Sequence, residues 1–93
     1  MAKRDFSDSV KLSVIKDNLR NNNGEICCAI CGVKLLSIQE CHFDHIFPFA
    51  KGGKSTAGNC QILCTSCNLK KTDKELHDFL LEEKAMQFLM GET

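Results

Sequence analysis

Two cysteine knuckles, Cys28-Ala-Ile-Cys31 and Cys64-Thr-Ser-Cys67, constrain this chain most, because they must meet across 32 intervening residues. A two-residue spacer presents both sulfurs of a knuckle on one side of a tight turn, and two knuckles supply the four thiolates that tetrahedral zinc prefers. A set made wholly of cysteine leaves no open coordination position, so the expected site is closed and structural. The insert is longer than usual ribbon spacing and must therefore fold by itself. Cys27 offers an alternative first ligand with a three-residue spacer, although Cys28 is preferred. Cys41 and Cys60 read as small core residues. Two separated pairs converge more naturally on a metal than on a dithiol redox switch.

With 93 residues the chain is expected to form a single domain, 1–93, whose modest core needs a staple. Neither the N-terminal MAKRDFSDSV nor any later stretch has the apolar run of a signal peptide or a membrane span. The expectation is a cytoplasmic protein without a membrane partner. There closely spaced cysteines favour metal binding over disulfides, as does the odd count of seven. Twelve basic and twelve acidic residues cancel, which argues against coating nucleic acid by bulk charge. The charge is unevenly spread: +2 over residues 1–24, −2 over 25–50, +4 over 51–74 and −4 over 75–93.

Behind a Ser7 or Ser9 cap, Val10, Val14, Ile15 and Leu19 recur at helical spacing until Asn21–Gly24 stops the pattern, predicting a helix over about 8–20. Gly32 closes the first knuckle, and a short strand is expected after it. CHFDHIF, residues 41–47, alternates as a strand that Pro48 ends. The Gly-, Ser- and Lys-rich stretch that follows reads as an exposed loop, and QILC as a second strand, giving a hairpin with a long turn. Cys64–Lys71 has helical spacing. Thr72 and Asp73 then offer a cap for a further helix, amphipathic and acidic outside, holding Leu76, Phe79, Leu80 and Leu89.

A second constellation is woven through the knuckles: Asp44-His45, Pro48, Gly52-Gly53, Asn59, and Leu63-Cys64-x-x-Cys67-Asn68-x-x-Lys71. Over residues 28–71 this series resembles the HNH endonuclease family, whose pattern is a D-H pair, a Pro, a GG turn, an Asn and then L-C-x-x-C-N-x-x-K. The resemblance implies a small α+β domain of the ββα-metal type, with a structural four-cysteine zinc site and a helix at either end. It also implies a metal-dependent endonuclease acting on DNA.

On that resemblance Asp44 and Asn68 hold a catalytic divalent cation, His45 activates water, and Asn59 holds the loop that orients His45. Cys28, Cys31, Cys64 and Cys67 take the structural zinc. The residue chemistry agrees. A carboxylate and a carboxamide oxygen are hard donors suited to Mg²⁺ or Mn²⁺. Imidazole is the side chain best placed to accept a proton near neutral pH. Adjacent side chains on a strand face opposite ways, so Asp44 and His45 reach one phosphate only if the chain bends near Ile46.

Among the lysines beside the motif, Lys51, Lys54, Lys70, Lys71 and Lys74, the phosphate contacts are assigned to Lys70 and Lys71. His77 reads as a solvated residue, and His42, two positions before the pair, reads as a surface residue with a supporting or phosphate-contacting role as its alternative. The family's first and last His are Asp44 and Asn68 here, which favours hard cations over zinc at the catalytic metal. One metal and one site cut one strand per encounter, so nicking is expected unless the protein forms a homodimer. Arg4 and Arg20 are the sole arginines, and little base-specific readout is expected. Zero net charge implies weak intrinsic affinity for DNA, offset if a partner protein delivers the substrate. The competing reading is a non-catalytic zinc-stabilised module that binds nucleic acid or protein.

Overall fold

A computed structural model of the chain describes residues 5–91, so Arg4 lies outside the described residues. Helix α1 spans Asp8–Asn21. The Ser7 hydroxyl accepts from the Val10 amide at 3.2 Å, and Asp8 and Arg20 complement the helix dipole at the two ends. Asn23 and Gly24, both at positive φ, turn the chain away from the helix. This matches the predicted span to within a residue.

After the first knuckle no regular strand forms, contrary to expectation. A single bridge, Cys27 to Lys34, joins its two sides, supported by Cys28 N to Val33 O at 2.9 Å and Leu35 N to Ile26 O at 2.7 Å. The segment then enters a 3₁₀ turn, Ile38–Glu40, fixed by a Ser37/Glu40 capping box, which diverts it before a ladder can extend.

Strand β1, His42–His45, pairs antiparallel with β2, Cys60–Leu63, in the register Phe43 to Ile62 and Asp44 to Gln61. The loop between them is shaped by its two glycines. Gly52 sits at φ +96°, and a Cβ on Gly53 would fall 1.9 Å from the carbonyl oxygen of Phe47. Ile62 and Leu63 are the most buried side chains, and Phe6, Val14, Leu35 and Cys60 complete the core with Ile62. The core role read for Cys60 holds, and Cys41 packs against the same cluster.

The last element is one helix, α2, Thr65–Leu89, instead of the two expected. Thr72 does not cap a new helix. Its hydroxyl donates to the Asn68 carbonyl one turn back at 2.9 Å, which a continuous helix tolerates. Only the first turns of α2 lie against the sheet. Beyond them Leu76, Phe79, Leu80, Leu81, Met86 and Phe88 are each more than half exposed and spread around the helix, so the expected amphipathic packing is absent. No helix among the described residues is long and apolar enough to cross a membrane.

Candidate active site and metal centre

The four knuckle cysteines converge. The sulfurs of Cys28, Cys31, Cys64 and Cys67 all lie within 4.8 Å of one another, and Cys31 Sγ is 3.7 Å from Cys64 Sγ. Two thiolates bound tetrahedrally to zinc at about 2.3 Å are separated by about 3.8 Å, so the set fits that ion. Cys27 is not part of the cluster; its backbone is gripped from α1. The Asn18 carboxamide accepts from Cys27 N and donates to Cys27 O, both at 2.9 Å.

The second knuckle also starts α2. Cys64 is the N-cap residue, its sulfur accepting from the Cys67 amide at 3.4 Å. Burial opposes charge on Cys28, but the backbone amides of Cys31, Cys64 and Ile30 outweigh it and lower its pKa to about 6. The hydrogen bond to Cys64, then burial and the neighbouring sulfurs, push Cys67 up to about 12.

Strand β1, the first turns of α2 and the chain entering α1 frame a cleft of about 600 Å³, bordered by Phe6, His42, Asp44, His45, Asn68 and Glu75. Asp44 and His45 both border it, Asp44 meeting Gln61 and Lys71 while His45 meets Phe6 and Ser55, and the chain bends at Ile46 and Phe47 directly after the strand. Gln61, the cross-strand partner of Asp44, donates to its Oδ2 at 2.9 Å. The Lys71 ammonium stands 3.2 Å from the same oxygen, donates to the His45 carbonyl at 3.0 Å and pairs with Glu75 one turn along α2. Burial works against charge on Lys71, but the bonds to Glu75 and Asp44 outweigh it and raise its pKa. Asp44 is thus ion-paired with Lys71 and hydrogen-bonded by Gln61.

Asn59 ends a short 3₁₀ turn and staples the loop. Its Oδ1 accepts from Phe47 N at 2.7 Å, while Nδ2 donates to Phe47 O at 3.0 Å and Lys54 O at 2.9 Å. Its backbone carbonyl also accepts from Ile46 N at 3.0 Å. The imidazole of His45 meets Ser55, whose Oγ lies 2.8 Å from Nε2. The ring of Phe6 stacks on His45 with centroids 4.2 Å apart. His42 is also drawn in, its Nε2 lying 3.0 Å from Thr65 Oγ1.

Lys70 is exposed beside an adjoining groove of about 440 Å³, which Lys51, Lys71 and Lys74 line together with the carboxylates Glu75 and Asp78. His77 is exposed on α2. Sequence reasoning missed Gln61, Ser55, Phe6 and Glu75. Glu75 had a readable signal, since it stands four residues after Lys71 on one helix. Gln61 required the strand register, and Phe6 lies far from the motif in sequence.

A two-stranded hairpin and a following helix around a polar cleft, braced by a four-cysteine metal centre, define a ββα-metal domain. The chain belongs to the HNH endonuclease family, whose model matches residues 28–74, just over half of its 93 residues. No curated protein and no solved structure matches it.

Proposed function

We propose that this protein is a metal-dependent endonuclease that hydrolyses DNA phosphodiester bonds, nicking one strand per encounter with low sequence specificity. The observation that carries this reading is the meeting of Asp44, His45 and Asn68 on one cleft between β1 and α2. Asp44 and the Asn68 carboxamide would hold Mg²⁺ or Mn²⁺, which supplies charge stabilisation at the scissile phosphate and the departing oxygen. The hard donor set fits such an ion.

His45 accepts the proton of the attacking water, and Asn59 keeps its loop in place through the three bonds it makes. Gln61 orients the Asp44 carboxylate. Lys70, with Lys51 and Lys74 on the same groove, contacts backbone phosphates. Lys71, which pairs with Asp44 and donates to the His45 carbonyl, would contact a phosphate oxygen beside the reacting bond. Zero net charge agrees with delivery of the substrate by a partner protein. We assign the whole chain, 1–93, to one such domain.

The test incubates zinc-loaded protein with supercoiled plasmid and Mg²⁺, Mn²⁺ or chelator, beside His45→Ala. Metal-dependent nicked circle that His45→Ala fails to produce is the expected result. Equal nicking by His45→Ala, or none by the native protein, sinks the enzyme reading. In that case plasmid binding without cleavage supports the non-catalytic module.

A further inference from the structure

We propose that Phe6 and Ser55 are positioning residues for His45, one fixing the plane of its ring and the other selecting which nitrogen faces the water. This rests on the general-base reading of His45 given above.

Phe6 is 7% exposed, packed in the core beside Val14, Leu35, Cys60 and Ile62, and it immediately precedes the Ser7 cap of α1. Its ring is therefore held from two directions, by packing and by the capped helix start. It lies 4.2 Å from the His45 ring at 29° between planes, while Phe49 meets the imidazole at 56° with centroids 5.6 Å apart. Stacking limits tilting of the imidazole out of its plane. It does not distinguish the ring from one turned by 180°, which exchanges each nitrogen for a carbon in almost the same outline.

Ser55 removes that ambiguity. Its hydroxyl stands 2.8 Å from Nε2 and would lose this bond if the ring were turned. A neutral imidazole has one N–H donor and one bare acceptor nitrogen. The contact itself allows either direction; in the proposed arrangement Nε2–H donates to Ser55 Oγ, which leaves Nδ1 bare to take the proton from water. The two contacts thus do separate work, and Phe6 does its part from outside the family-matched residues 28–74.

The experiment uses the zinc-loaded full chain with Ser55→Ala, Ser55→Thr and Phe6→Leu, the last keeping apolar bulk while removing the aromatic face. Plasmid nicking with Mn²⁺ is expected to lose about tenfold or more in kcat for Ser55→Ala and Phe6→Leu, with KM within about twofold, because a general base contributes about 10²–10⁴ in rate. Ser55→Thr, which keeps the hydroxyl, is expected to restore most of the loss. In parallel, ¹⁵N NMR of the His45 ring should show mainly the Nε2–H tautomer in the native protein and a mixture in Ser55→Ala.

Native-like nicking by Ser55→Ala, or a tautomer that Ser55→Ala leaves unchanged, overturns the proposal. Should Phe6→Leu lose its fold by circular dichroism, the Ser55 variants decide. If the native protein does not nick, the hydrolase reading falls alone, and the NMR comparison still decides whether Ser55 sets the ring.

Discussion

Asn59→Ala tests whether the loop between β1 and β2 is held by one side chain. The substitution removes three hydrogen bonds, to Phe47 N, Phe47 O and Lys54 O, between 2.7 and 3.0 Å long. Each contributes about 0.5–1.5 kcal/mol net, and because these groups are partly solvated the lower half of that range applies, giving about 2 kcal/mol in all. Against a total stability of about 5–15 kcal/mol this is a large loss. At about 4–8 °C per kcal/mol for a domain of this size, the melting midpoint should fall by about 10 °C. The assay is thermal and urea unfolding by circular dichroism, with zinc saturating for both proteins. Asn59→Asp should be at least as damaging. It keeps the acceptor for Phe47 N but sets a carboxylate against two carbonyl oxygens. An Asn59→Ala protein within about 0.5 kcal/mol of the native one would refute the reasoning, since that is the scatter of ordinary surface substitutions.

Three other outcomes are expected. Cys28→Ser should lose zinc and unfold, as should the native protein in a strong chelator, while Cys27→Ser keeps its metal; metal analysis beside circular dichroism checks both. Gly53→Ala should cost more than about 2 kcal/mol in urea unfolding, because its Cβ would meet the Phe47 carbonyl; Gly52→Ala should cost only about 1, the ordinary strain of positive φ. Lys70→Gln should lower the slope of log binding constant against log salt by about 0.9 in DNA titrations with chelator present, and an unchanged slope removes Lys70 from the phosphate contacts.

The sequence announces the elements of this fold whose cause is local. The α1 cap, the knuckles and the GG turn each depend on a few consecutive residues and appear where expected, whereas β1, expected over 41–47, covers only His42–His45 because the chain already bends at Ile46 and Phe47 before Pro48. The second helix cap at Thr72 misled because a threonine hydroxyl can bond backward along a helix as readily as forward to a new one. The distal half of α2 misled differently: its apolar residues suggested a packed face, yet the body of the molecule offers nothing to receive them. At the site, Asp44, His45, Asn59 and Asn68 were singled out through the family resemblance, and the fold brings Asp44, His45 and Asn68 to one cleft. The contacts of Ser55, Gln61 and Phe6 were not, because they depend on register and on how α1 is laid against the sheet.

Cys64 begins helix α2 and also lends its sulfur to the metal cluster, so the helix is rooted at that point. From that root α2 runs about 37 Å to Leu89, at 1.5 Å per residue, and Asn68 stands only about 6 Å along it. The helix is thus a lever with its fulcrum at the metal and the cleft close to the fulcrum. Whatever seizes the far end, a sideways displacement there arrives at Asn68 reduced about sixfold. The free end can be pushed by several ångströms while the cleft keeps its dimensions to within one.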